Sequence, residues 1–324
     1  MCATCGCNSG AKATIVNLAT GRVSAIAHNE REHHQHVHEH VHADGTRHSH
    51  DHSDREHDHG HLNLEEAGHG HLHEHVHADG TRHSYPHDQA NVHAHDHAHD
   101  HGPSVVDLEA RLLAKNDTLA ALNRAWFAGR EILALNLVSS PGSGKTTLLE
   151  RTIRDLKSDL GLFVVEGDQA TTADGERIRG AGAPCVQVNT GTGCHLEADM
   201  IARGLDELKP SFGSVVLIEN VGNLVCPALF DLGEHAKVAI LSVTEGEDKP
   251  LKYPHMFSAA QIVLLNKIDL LPHLDFDIEK AASNIAVVNP DAIVFRVSAR
   301  SGEGLDRWYD WIRKEASAAN AHAV

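Results

Sequence analysis

No stretch of this 324-residue chain approaches the ~20 consecutive apolar residues that a membrane-spanning helix needs, which excludes one. The opening Met1-Cys2-Ala3-Thr4-Cys5-Gly6-Cys7 lacks the basic and apolar regions of a secretory leader, so the expected location is the cytoplasm. Basic residues are scarce. The 28 Lys and Arg face 45 Asp and Glu, a formal charge of −17 that argues against nucleic acid as a partner and suits cations. Large apolar side chains are nearly missing between His28 and His101, where 7 Leu and Val and one Tyr are spread over 74 residues. Such a segment cannot bury enough surface to offset a backbone ordering cost of roughly 1 to 2 kcal/mol per residue, which predicts a disordered tract when no metal is bound.

What the tract does hold is histidine, 25 of the chain's 30, together with 15 acidic and 4 basic residues. The twelve residues His38 to Ser49 recur unchanged at His73 to Ser84. Stacked repeats need recurring apolar positions, and these have almost none, so the duplication reads as added metal capacity rather than a solenoid. The expected organisation is a cysteine cluster and tether over 1–27, a His-rich metal-binding tract over 28–103, and an α/β domain with a leading helix over 104–324. Apolar runs at 132–138, 162–165, 185–188, 215–218, 238–243, 262–265 and 293–297 alternate with helix-compatible segments. That pattern predicts a mostly parallel sheet of about seven strands flanked by helices, with ligands beyond the carboxyl ends of the strands.

The first of these runs leads into Ser139-Ser140-Pro141-Gly142-Ser143-Gly144-Lys145-Thr146-Thr147, a phosphate loop (P-loop) whose first position is Ser139 in place of the usual glycine. Gly142, Ser143 and Gly144 let backbone N–H groups approach phosphates, Lys145 supplies a cation, and Thr146 can ligate magnesium, with Thr147 beside it. Asn266-Lys267-Ile268-Asp269 follows the sixth run about 120 residues later. Asp269 can accept from guanine N1–H and the exocyclic amine, Lys267 can cover the base and Asn266 can tie the loops together. The four residues alone would equally suit a helix cap; after a phosphate loop they point to GTP. Ser298-Ala299-Arg300, at the exit of the last run, would direct backbone N–H groups at guanine O6. Glu219 sits where many GTPases place the aspartate of Asp-x-x-Gly and would hold Mg2+ through water, with Gly222 as the γ-phosphate sensor. Asp168 is either a second magnesium-linked carboxylate or a surface acid.

Cys2, Cys5 and Cys7 offer three soft donors in six residues, suited to nickel, zinc or copper(I). Cys194 and His195 follow the third run, Cys226 follows Gly222, and both segments leave carboxyl ends of strands. Two thiolates and an imidazole are too few for a closed tetrahedral zinc site, so water or a second subunit must complete the shell. Cys185, inside a strand, reads as a core residue.

These motifs, with Asn189 to Leu196, Glu219 to Pro227 and Thr244 to Pro254, closely resemble the HypB family, GTPase metallochaperones of [NiFe]-hydrogenase maturation. The resemblance covers the N-terminal cysteines, the histidine tract and the domain from about Ser104. It implies tight nickel binding at Cys2, Cys5 and Cys7, and a nickel or zinc site at Cys194, His195 and Cys226. It also implies GTP-favoured dimerisation and nickel delivery, with a HypA-type partner, to the hydrogenase large-subunit precursor. Lys249 or Lys252 would reach a partner subunit's nucleotide or sit on a solvated loop. The nearest rival is a urease-type nickel GTPase, a family with proline between its cysteine and histidine, whereas Cys194 directly precedes His195. The others are a nickel store and a small-molecule P-loop kinase, the latter disfavoured by Asn266 to Asp269.

Overall fold

Strands buried on both faces must be apolar at nearly every position, and the first six runs above meet that demand, while the seventh forms the partly exposed edge strand. The computed structural model describes residues 13–26, 37–41, 47–51, 72–76, 82–86, 105–169 and 172–321, and each run is a strand in it. In chain order the strands are β1 (Thr14–Asn17), β2 (Arg22–Ala25), β3 (Val37–Val41), β4 (Arg47–Asp51), β5 (Leu72–Val76), β6 (Arg82–Pro86), β7 (Leu133–Ser139), β8 (Leu162–Asp168), β9 (Cys185–Asn189), β10 (Val215–Glu219), β11 (Ala236–Ser242), β12 (Ile262–Asn266) and β13 (Ile293–Arg296). The helices are α1 (Val105–Ala128), α2 (Lys145–Leu156), α3 (Ala173–Ala181), α4 (Ala198–Leu208), α5 (Cys226–Leu229), α6 (Lys249–Lys252), α7 (Pro254–Ala259), α8 (Ile278–Val288) and α9 (Leu305–Ala321). Among the described residues no helix is long and apolar enough to cross a membrane.

A nine-stranded sheet runs in the order β13-β12-β11-β7-β10-β8-β9-β1-β2. The seven strands from β13 to β9 pair in parallel. β7 lies near the middle, and the chain leaves it to build β8, β9 and β10 on one side and β11, β12 and β13 on the other. The carboxyl end of β7 is therefore the switch point where α/β sheets bind ligands. Alternation along β7 explains why it is central: Leu133, Leu135 and Leu137 pack with Leu148, Leu149 and Ile153 of α2 and with Trp308 of α9. Ala134 turns to the opposite layer with Phe127 of α1, Ile201 of α4 and Ile218 of β10.

Residues 8–27 were expected to be a tether, yet 13–26 form the β1–β2 hairpin, with β1 antiparallel to β9. The physical reason is apolar burial: Ala13, Ile15, Leu18 and Ile26 are all buried, and the hairpin covers what would otherwise be the open edge of β9.

Residues 28–101 cluster as a unit of their own. Its described residues form two antiparallel ribbons, β3 with β4 and β5 with β6, in equivalent registers: His40 lies opposite His48, and His75 opposite His83. Each ribbon is one copy of the duplicated cassette. The rest of the tract, and Cys2, Cys5 and Cys7, lie outside the described residues.

Candidate functional site

The phosphate loop turns from β7 into α2 through Gly144, whose φ of 93° favours glycine. A side chain there would also strike Asn266, since a Cβ would lie 2.8 Å from its Nδ2. That close approach lets Asn266 brace the loops. Its Nδ2 donates to Ser143 O at 2.9 Å and its Oδ1 accepts from Ala299 N at 3.1 Å. Lys267, held in the left-handed region at φ 66°, donates from Nζ to Gly142 O at 2.7 Å. The Ser298 hydroxyl donates to Asp269 Oδ1 at 2.6 Å. The strand ends of β7, β12 and β13 thus bring both motifs together, and through Ala299 N–H the Asn266 amide also holds the 298–300 segment.

A cavity of ≈ 580 Å³ opens along the phosphate loop and is lined by residues 140–147, by Glu166 to Gln169, by Asp174 and Arg177, by Glu219 to Gly222 and by Lys267. This volume suits a nucleotide-sized ligand. Glu219, at the end of β10, accepts from the Thr146 hydroxyl at 2.7 Å and faces Lys145 Nζ at 3.7 Å. Burial raises its pKa, opposed by the Lys145 charge, and Oε2 has no hydrogen-bond partner. An orphaned carboxylate oxygen beside a threonine hydroxyl and a phosphate loop is the donor set that fits a magnesium ion. Asp168, at the end of β8, lines the same cavity, and its backbone carbonyl accepts from Thr190 N at 2.8 Å. Gly222 packs against the phosphate loop, where a Cβ would come within 3.2 Å of Pro141 Cα.

From the segments that leave β9 and β10, Cys194 and Cys226 converge. Their sulfurs lie 2.9 Å apart, beyond disulfide bonding distance, and Cys194 Sγ is 3.6 Å from His195 Nδ1. One ligand atom from each of the three residues lies within 4.8 Å of the others. His195 is buried against the ring of Phe230 at a centroid distance of 3.8 Å, and burial lowers its pKa to about 4. The imidazole is therefore neutral, the form that binds metal. Its Nε2 has no hydrogen-bond partner but faces Glu197 Oε1 at 3.8 Å, an arrangement that would put a carboxylate behind the imidazole if Nδ1 held a metal. Cys185 lies inside β9, where burial pushes its thiol pKa up, so it is core as expected.

The reading of the sequence missed Glu166. It is buried in β8 directly opposite Glu219 in register, and burial, with Glu219 and Asp168 nearby, pushes it up to about 9. The available signal was a second acid, two residues before Asp168, inside an otherwise apolar strand. Also missed was Gln169, whose Nε2 donates to Gly193 O at 3.4 Å and joins the Asp168 segment to the metal loop. Lys249 and Lys252 are engaged on their own segment, by Glu245 at 3.1 Å and Asp248 at 2.7 Å.

A phosphate loop at the switch point of a parallel sheet, with Asn266 and Lys267 reaching it from the end of β12, defines a nucleotide-binding P-loop protein, in which two thiols and an imidazole also converge at the ends of β9 and β10. Residues 133–296 match the family model described as CobW/HypB/UreG, nucleotide-binding domain. The chain is 60% identical over 214 residues to the hydrogenase maturation factor HypB of Azotobacter chroococcum mcd 1, covering 66% of this chain and 70% of that one. With HypB of Escherichia coli K12 the identity is 56%, over 66% and 74% of the two chains. A solved structure of HypB from Helicobacter pylori in complex with nickel superposes with a TM-score of 0.59 at 38% identity, over 63% of this chain and 96% of that one. The chain belongs to the HypB family.

Proposed function

We propose that this protein is a GTP-hydrolysing metallochaperone that binds, stores and delivers nickel for [NiFe]-hydrogenase maturation. The observation that carries the proposal is the placement of Cys226 seven residues beyond Glu219, on the segment that leaves the Thr146 contact. Family membership and the nickel-bound relative support nickel as the cargo. The Cys194, His195 and Cys226 set leaves a coordination position open, which suits an ion that must be handed on rather than kept. Zinc is an alternative occupant of the same donors.

Residues 142–147 and Lys145 hold the phosphates, and Asp269 selects guanine. Thr146, Glu219 and Asp168 would hold Mg2+, which supplies charge neutralisation to the phosphates. Burial, with Glu219 and Asp168 nearby, pushes Glu166 up to about 9, and no side chain is assigned as a base. Hydrolysis then rests on electrostatics alone and is slow, adequate for a switch. Because Cys226 and Gly222 share a segment, GTP and GDP set different metal affinities, and metal changes nucleotide affinity by the same factor. GTP favours a homodimer, which acts with a HypA-type protein on the hydrogenase large-subunit precursor.

The test is hydrogenase activity in a bacterium lacking its own such factor. Wild type restores activity at limiting nickel; Cys194→Ala and Cys226→Ala do not. Removal of 28–101 leaves activity intact when nickel is plentiful. Full activity of either cysteine variant at limiting nickel refutes the delivery role, and loss of activity on tract removal in plentiful nickel assigns the protein to storage.

A further inference from the structure

Between the two metal-bearing segments runs a chain of buried polar side chains that the mechanism above does not use. Asn220, fully buried and next to Glu219, accepts at Oδ1 from Leu196 N at 3.1 Å, one residue past His195. Its Nδ2 donates to Asn136 Oδ1 at 3.2 Å, and Asn136 Nδ2 donates to Glu234 Oε1 at 3.0 Å. Glu234 pairs with Lys237 at 3.7 Å. Lys237 Nζ in turn donates to Pro227 O at 2.8 Å and Phe230 O at 3.2 Å, the carbonyls that follow Cys226 and carry the ring under His195.

Stability alone is a weak reason to keep this arrangement. Buried polar chains cost desolvation, and apolar replacements of similar volume are often no less stable. A chain of fixed amides does, however, transmit position. Asn220 cannot shift with Glu219 without either breaking its bond to Leu196 N or drawing the Cys194–His195 segment after it. At the same time its other end pulls on Asn136, which also bonds the acid that orients Lys237.

We infer that Asn220, Asn136, Glu234 and Lys237 form a relay of positioning residues that moves both metal-bearing segments together when the nucleotide changes at Glu219 and Gly222. The inference rests on the proposed nucleotide-dependent metal affinity and names the residues that produce it. Through the relay, Cys194 with His195 on one side and Cys226 on the other are set by a single amide, so the donor set opens or closes as a unit.

The full chain carrying Cys2→Ser, Cys5→Ser and Cys7→Ser is titrated with nickel, with GDP or with a non-hydrolysable GTP analogue. Thiolate-to-nickel charge-transfer absorption then reports on Cys194 and Cys226. This triple-serine background, with the relay intact, shows an affinity ratio between the two nucleotides on the order of 5- to 150-fold. Asn136→Leu, which cuts the relay at its centre, and Lys237→Met, which cuts the arm to the Cys226 turn, both bring the ratio below about threefold. Neither removes a metal ligand, so nickel affinity without nucleotide stays close to that of the background. Asn136→Ser, which leaves room for water at the flanking groups, stands in should Asn136→Leu not fold. Folded variants that keep the full ratio overturn the relay while leaving the proposed function in place. A ratio of one in the background itself overturns the nucleotide coupling and the relay together.

Discussion

Under the proposed function, Asp269 is the residue on which base identity turns. Its Oδ1 already accepts from Ser298 at 2.6 Å, which fixes the carboxylate before any base arrives. An asparagine there keeps an acceptor for that hydroxyl but replaces the second acceptor with a donor, which opposes the guanine amine and favours a carbonyl at the same ring position. Hydrogen bonds to a charged group are worth about 1.5 to 3 kcal/mol, so Asp269→Asn is expected to weaken GTP binding roughly 10- to 150-fold while improving xanthosine triphosphate binding. Competitive titration with the two nucleotides reads this directly; unchanged preference would place the base elsewhere. Such residues were legible in the sequence because phosphate and guanine chemistry need particular side chains at fixed spacing. Glu166, Asn136 and Asn220 were not, since their meaning depends on β8, β7 and β10 being neighbours, and strand order is absent from local pattern.

At the scale of elements, the same division holds. Six of the seven parallel strands were readable because burial on both faces leaves a continuous apolar signature, and the edge strand β13 because Ile293 to Val297 is still largely apolar. The β1–β2 hairpin was not, because four-residue strands of mixed polarity carry almost no periodic signal and owe their place to β9. The ribbons β3–β4 and β5–β6 did have a local cue, Asp44-Gly45 and Asp79-Gly80 between their strands, a hairpin dipeptide that the histidine content obscured. If the hairpin is an integral edge of the sheet, its buried side chains must contribute to global stability. Ile15 is 3% exposed within the layer that also holds Val186 and Val188. Ile15→Ala is therefore expected to cost about 2 to 5 kcal/mol and to lower the thermal midpoint by roughly 4 to 20 °C. A midpoint shift within error by circular dichroism would return 13–26 to the status of a tether.

For the whole molecule, the proposed function asks how a histidine-rich unit and the Cys194–His195–Cys226 set would divide the metal. Imidazole binds metal only when neutral, and its unperturbed pKa is about 6.5, so metal held by the tract is released as pH falls through that value. His195 behaves differently: burial holds its pKa at about 4, so its imidazole stays neutral across the range in which the tract protonates. The two regions should therefore separate on a pH axis. Nickel retained by the full chain after dialysis at steps from about pH 7.5 to about 5.5 is expected to show a large loss centred near 6.5. Removing 28–101 takes away 25 of 30 histidines and should abolish that step. Because 28–101 cluster as a unit of their own, the shortened chain should keep its thermal midpoint, which separates loss of metal from loss of fold. A shortened chain that still loses nickel through the same step would move the labile store onto the cysteine sites. The tract would then have to act by some property other than imidazole ligation, since the charge that remains there, from its 15 acids and 4 bases, changes little over that interval.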